Sequence, residues 1–282
     1  MAATTIDSEV ASGARAVTPV APRRRKRSTI SWLGPVVVFI LMIGLWYALA
    51  YYYAQRGLPY FVPYPHQVVQ AMFAPGEFQV LMTALLHSTE VAMTGLAIAI
   101  VIGVAWAVLM SQATWIERSL FPYAVVLQCI PILALVPLIG ILFGYNFQAR
   151  VIVTVLIALF PLVAMTLFGL QSVAKQQREL FQLQGVSRAT MLMKLQFPAA
   201  LPSIFVGLRT SAGLAVVGAV VGDQFFQRGN PGLGVLIQVY ASRLQGPQLY
   251  AAILVASLLG VAVFVIFGWL GRLVVGRWYD FT

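Results

Sequence analysis

Six long apolar runs, interrupted by little more than glycine and proline, constrain this chain more than any other feature. They fall at about 32–53, 83–110, 120–143, 151–170, 201–221 and 249–270. Each approaches or exceeds the roughly 20 residues a helix needs to cross about 30 Å of hydrocarbon. In lipid the backbone polar groups must be satisfied internally, so such runs form helices. Composition closes the soluble alternative. The 282 residues are 60% hydrophobic and only 9% charged, against about 25% charged in an ordinary soluble domain. The expected fold is therefore all-α, a polytopic membrane protein with six transmembrane helices. A net charge of +10 does not point to nucleic acid. The positive residues are scattered between apolar runs and gathered near the N-terminus, as in membrane loops. The single cysteine, Cys129, lies inside an apolar run, which excludes a disulfide framework and a cysteine metal site.

Residues 1–28 are rich in Ala, Thr, Ser, Val and Pro and end in Arg23-Arg24-Arg25-Lys26-Arg27. They are expected to be a disordered, basic, cytoplasmic tail, with the membrane domain occupying 29–282. The basic run reads as an orientation signal. A signal peptide fits less well, because the apolar run after it exceeds the usual h-region of about 7–15 residues. Four prolines between Gln55 and Val80 mark a loop, with a short surface helix at 66–73. His87 and Glu90 share a helix face and read as an interfacial pair, since a proton relay or metal site needs more ligands. Pro122, Pro131 and Pro137 predict kinks in the third span, and Pro161 one in the fourth. Gly229-Asn230-Pro231-Gly232-Leu233-Gly234 is a turn, followed by an amphipathic helix too short to span.

Charge orients the spans. With the N-terminus inside, 14 of the 18 basic residues face the inside, and only Arg56, Arg150, Arg228 and Arg243 face out. That asymmetry predicts N-in and C-in.

One segment does not serve insertion. Between spans four and five, Glu179–Pro198 is polar, basic and helical in pattern, with Leu180, Leu183, Met191 and Leu195 at spacings of three and four. Gly185 breaks the pattern, so two short helices are expected, with Pro198 and Pro202 marking the start of the next span. The orientation puts this segment in the cytoplasm, where it is available to touch a partner.

Its spacing resembles the EAA loop of ATP-binding-cassette (ABC) importer permeases. Glu179 is followed by Gly185 six positions on, then by nine residues and Leu195-Gln196-Phe197-Pro198. Leu180 and Phe181 replace the two alanines of that pattern, and Leu195 and Phe197 its Ile and Leu. Gln128-Cys129-Ile130-Pro131, Pro161, Gly185-Val186-Ser187-Arg188, Pro198-Ala199-Ala200-Leu201-Pro202 and Gly232-Leu233-Gly234 are similar to the nitrate/sulfonate/taurine-type permeases. That group also includes permeases for thiamine precursors and riboflavin. The similarity runs from about Pro59 to Arg277.

The resemblance implies a non-enzymatic subunit in the bacterial inner membrane. It implies as partners two ATP-binding subunits, a second permease subunit in a homodimer, an extracytoplasmic solute-binding protein and membrane lipid. Glu179, Leu180, Phe181, Gly185, Ser187, Arg188 and Pro198 would form the ATPase-coupling loop. The chain has no G-x-x-x-x-G-K-[ST] motif, so ATP and Mg would be bound by the partner ATPase and no cofactor by this chain.

Polar groups within spans are few. Gln128, Pro131, Thr210, Ser211 and Asp223 are the candidate pathway-lining residues. Glu90, Arg209 and Asp223 are read as lying near span ends. The solute is expected to be a sulfonate or taurine, nitrate, or a pyrimidine-type vitamin precursor. A secondary transporter or channel working without an ATPase is the alternative. It would call for a mid-membrane coupling site and inverted repeats. An intramembrane enzyme would need a nucleophile and base at membrane depth, and the only histidines are His66 and His87.

Overall fold

The computed structural model describes residues 33–276. The expected tail at 1–28 and the residues from 277 onward lie outside that range. Residues to Leu45 form one unit and those from Trp46 another. The first unit contributes the start of helix α1 (Leu33–Gln55), and the packing described below is that of the second.

Among the described residues every regular element is a helix. After α1 come α2 (Pro65–Met72), α3 (Glu77–Ser111), α4 (Thr114–Cys129), α5 (Ile132–Phe143), α6 (Phe147–Gln171), α7 (Lys175–Leu183), α8 (Arg188–Met191), α9 (Phe197–Phe225), α10 (Leu233–Ser242) and α11 (Gly246–Val275). Five stretches are long and apolar enough to cross a membrane. These are α1, α3, α6, the continuous helix Arg188–Phe225, and α11.

The third expected span is not a single rod. α4 and α5 meet at an angle of 96°. Ile130 and Pro131 between them are extended, with ψ of 125° and 104°. Proline biases its predecessor away from helix, so the chain breaks at Ile130 rather than bending. Among the described residues the segments long and apolar enough to cross number five, or six if this bent pair is one span.

α6 and α9 form the centre, with α3 packed against both, α11 against α9, and α4 and α5 against α6. The two central helices run antiparallel and approach through small residues. A Cβ on Gly169 would meet Ala200 and Ser203, one on Gly207 would meet Met165, one on Gly218 would stand 2.8 Å from the Thr154 Cα, and one on Gly222 would stand 3.1 Å from the Arg150 Cα. On the other side of α6, Gly95 of α3 packs on Thr154 and Gly103 on Leu162. Helices in lipid gain little from hiding apolar surface, so close van der Waals approach at small residues holds them together. Val91, Ala92, Leu96, Leu162, Ala212 and Ala215 fill the resulting core.

A second cluster joins α2, α10 and α11 around Val68, Leu236, Tyr240 and Val255. Trp46 packs beside it and donates to the Pro63 carbonyl at 3.1 Å.

Candidate functional site

The polar segment after α6 folds as helix, turn and long helix. α7 ends in a Schellman turn. Gly185 has φ +66, the Gly185 N–H reaches the Gln182 carbonyl at 3.0 Å, and the Val186 N–H reaches the Phe181 carbonyl at 3.3 Å. Ser187 then caps the next helix, its Oγ accepting from the Thr190 N–H at 3.2 Å. A glycine is required at position 185 by backbone conformation alone, since nothing lies within 4 Å of where its Cβ would be.

The helix that starts at Arg188 is not short. It continues to Phe225 as one 38-residue rod, through Pro198 and Pro202. A π turn at Leu192–Gln196 makes this possible, with the Phe197 N–H bonding the Leu192 carbonyl. Pro198 has no N–H for Lys194, and its ring would press on that carbonyl in an α-helix. Widening the turn just before it relieves the clash without ending the helix.

The base of α7 is tied to the end of α6. Arg178 donates to the Leu170 carbonyl at 3.0 Å, satisfying one of the orphan carbonyls of that helix terminus. Gln171 donates to Glu117 of α4 at 2.7 Å. Glu179 forms an exposed pair with Lys175 at 3.6 Å. Leu180 is 55% and Leu183 86% exposed, so α7 presents an apolar ridge that nothing among the described residues covers. Arg188 is also exposed, while Phe181 and Pro198 are half-buried.

At the other end of the α6–α9 pair lies a buried charged cluster. Arg150 Nη1 stands 3.2 Å from Asp223 Oδ1, with the side chains 3% and 0% exposed. Arg150 also donates to the carbonyls of Phe226 at 2.7 Å, Asn230 at 2.9 Å and Arg228 at 3.0 Å. The Ser88 hydroxyl donates to Asp223 Oδ2 at 2.5 Å and accepts from the Leu233 N–H at 2.8 Å. Four separate segments are pinned together, and each charge has the hydrogen bonds that burial demands. Gly232 and Gly234 sit directly on Asp223, where a Cβ on Gly232 would also stand 2.7 Å from Ser88 Oγ. A cavity of about 370 Å³ opens beside the cluster, lined by His87, Glu90, Asn146, Arg150, Arg228 and Asn230 among others. His87 and Glu90 are 3.9 Å apart on its wall. On the same side Tyr240 donates to Glu77 at 2.8 Å. Burial first, and Glu77 second, raise the Tyr240 pKa above its ordinary value.

The coupling-loop residues are contiguous in space, from α7 through Gly185 into the rod. The candidate pathway residues are dispersed. Gln128 and Pro131 are exposed at the α4–α5 break. Thr210 is exposed and bonds the Val206 carbonyl. Ser211 is buried with no partner for its hydroxyl among the described residues. Asp223 is about 18 Å further along α9 from Ser211, at 1.5 Å per residue, and its carboxylate is taken up by Arg150 and Ser88. The charge count places Arg150 among the outside loop charges, and nothing in the sequence marks Ser88. The available signal was a lone acid closing one apolar run and a lone base opening another.

Arg209, expected near a span end, lays its guanidinium over the Phe264 ring of α11, 3.9 Å from the centroid.

Comparison with known proteins gives a consistent picture. Residues 99–278 match the family of binding-protein-dependent transport system inner membrane components. The chain is 34% identical over 232 residues to the formylaminopyrimidine transport permease protein ThiX of Halalkalibacterium halodurans, covering 82% of this chain and 90% of that one. It is 31% identical over 265 residues to the riboflavin transport system permease protein RibX of Chloroflexus aurantiacus, covering 93% and 97%. The nitrate import permease protein NrtB of Leptolyngbya laminosa is 24% identical over 275 residues, covering 90% and 96%.

Proposed function

The chain belongs to the family of binding-protein-dependent transport system inner membrane components, and we propose that it forms the membrane pathway for a small heterocyclic solute of the pyrimidine type. It is an ABC importer permease and a multi-pass plasma membrane protein, not an enzyme. The relatives named for formylaminopyrimidine and riboflavin share more identity with it than the nitrate permease does. That difference supports an uncharged or weakly charged ring compound over an inorganic anion.

In this reading six spans cross the membrane with both termini inside, the bent α4–α5 pair serving as one of them. The charge asymmetry supports the orientation. α7 then lies in the cytoplasm and docks its Leu180–Leu183 ridge into an ATP-binding subunit, which holds ATP and Mg. Two copies of the chain and two ATP-binding subunits make the importer. An external binding protein delivers solute on the side of the 370 Å³ cavity.

The observation that carries the mechanism is the unbroken rod from Arg188 to Phe225. A helix this long transmits displacement as a body rather than bending. Its base receives the movement of α7 across the Gly185 turn. Its far end holds Asp223, bonded to Arg150 and Ser88. Movement of the ATPase at α7 therefore reaches the outer cluster through one element and its close-packed partner α6.

Isothermal titration of the cognate binding protein with pyrimidine, sulfonate and nitrate tests the solute class. Tight binding of the pyrimidine alone is expected. Preference for nitrate or sulfonate would refute the solute assignment and leave the rest standing.

A further inference from the structure

α9 and α11 run antiparallel, and one side of their contact is built around an arginine. A Cβ on Gly268 would stand 3.2 Å from Arg209 Nε, and one on Gly271 would stand 3.2 Å from Phe205 Cβ. The two glycines let α9 approach so closely that the Arg209 side chain lies flat on α11, stacked on Phe264. Arg272 stands one turn beyond Gly268, near the end of α11. A cavity of about 100 Å³ is lined by both arginines together with Phe205, Val206 and Phe267. Among the described residues no carboxylate lies within ion-pair distance of either arginine.

A second, larger groove of about 470 Å³ lies further along the same two helices. Gly213, Val217 and Val220 of α9 face Ile253, Gly260 and Phe264 of α11 across it. Its wall is almost wholly apolar, and Phe264, which lines it, carries the Arg209 guanidinium on its ring. Arg209 thus lines the small pocket and stacks on a ring that lines the apolar groove. Unpaired guanidinium groups within a membrane helix pair are costly, and their planar donors match phosphate oxygens.

We infer that this double site binds one anionic phospholipid, its phosphate between Arg209 and Arg272 and one acyl chain along the groove toward Ile253. The assignment rests on the orientation proposed above, which puts both arginines on the cytoplasmic leaflet, where anionic lipids concentrate and basic pockets between helices hold their headgroups. Charge complementarity selects an anionic lipid over a zwitterionic one, and the apolar groove selects a lipid over a soluble phosphate.

The test is native mass spectrometry of the full chain with its partner subunits, equilibrated with equimolar phosphatidylglycerol and phosphatidylcholine. Two basic contacts predict about a thirtyfold preference for phosphatidylglycerol. The preference should fall to parity in Arg209→Ala/Arg272→Ala and survive in Arg209→Lys/Arg272→Lys. Gly260→Phe fills the groove without touching either arginine, and its Cβ meets nothing closer than 3.8 Å. It should cut retention of both lipids, so the site stays testable even where the double alanine variant does not assemble. Excess inorganic phosphate should leave the bound lipid in place. Equal retention of the two lipids by the unchanged chain would overturn the inference. So would displacement by phosphate alone, or a disulfide between two copies of Val217→Cys, which would make the groove a subunit interface. None of these readouts depends on transport, so the lipid site and the importer mechanism fail separately.

Discussion

Arg150 and Asp223 form an ion pair at 3.2 Å in which neither side chain is more than 3% exposed. One residue opens α6 and the other closes α9. The pair therefore fixes the far end of the central helix couple, and the three carbonyls on Arg150 fix the loop that follows. Asp223→Asn leaves the Arg150 charge buried without its partner. It should destabilise the chain by about 3–5 kcal/mol, read as a lowered midpoint of thermal unfolding in detergent. Replacing both partners by apolar residues, Arg150→Met with Asp223→Leu, should not recover that loss, because the carbonyls of Phe226, Arg228 and Asn230 then lose their donor. An unchanged midpoint for Asp223→Asn would show that the pair does not hold the helices.

The close approach of α6 and α9 makes a separate prediction. A Cβ at Gly218 would press on the Thr154 backbone at 2.8 Å, and backbone cannot swing aside. Gly218→Val should cost about 1–3 kcal/mol through overpacking and lower the yield of folded chain. Gly213→Ala on the same helix meets only Phe264 at 3.8 Å and should be tolerated. Equal behaviour of the two variants in size-exclusion profiles would refute the packing account.

In the loop after α6, Gly185 is the turn between α7 and the rod. Gly185→Ala places a Cβ at φ +66, costing about 1–2 kcal/mol. Gly185→Pro cannot adopt that φ at all and also removes the N–H that bonds Gln182. Both should leave the membrane helices inserted, as checked by circular dichroism. Transport per ATP hydrolysed should fall modestly for alanine and severely for proline. Glu179→Lys replaces the pair with Lys175 by a like-charge contact and should uncouple in the same direction. Full coupling in the proline variant would show that the turn does not transmit movement.

The exposed ridge of α7 predicts an affinity. Burying a leucine contributes about 1.5–3 kcal/mol, so Leu183→Asp should weaken binding of the ATP-binding subunit by more than about tenfold. Lys175→Ala, on the exposed start of the same helix, should change it little, since exposed pairs are worth about 0–1 kcal/mol. Surface plasmon resonance on the immobilised permease measures both, and equal affinities for Leu183→Asp and the unchanged chain would remove α7 from the docking site.

Much of this architecture was legible because apolar runs report helices directly, and because Gly185 marked a break that backbone conformation required. The rest depended on geometry that spacing does not encode. Pro131 looked like one kink among three in an apolar run, yet at that position the backbone turns by 96°. Pro198 and Pro202 looked like the start of a new span. The π turn before Pro198 instead lets one helix pass through both. Arg150 stood at a run's edge, where a charge is ordinarily solvated, and its partner is 73 residues away along the chain. Gly232 and Gly234 read as turn formers, and their second role, making room for Asp223 and Ser88, exists only in three dimensions.

The most direct test is solute uptake by proteoliposomes that hold the chain with its ATP-binding subunits, with ATP enclosed and the binding protein added outside. The expected result is accumulation of a pyrimidine-type solute that requires ATP, the ATP-binding subunits and the binding protein together. Gly185→Pro should abolish that accumulation while hydrolysis continues. Accumulation by the chain alone, without ATP-binding subunits, would contradict the mechanism and identify a secondary transporter or channel.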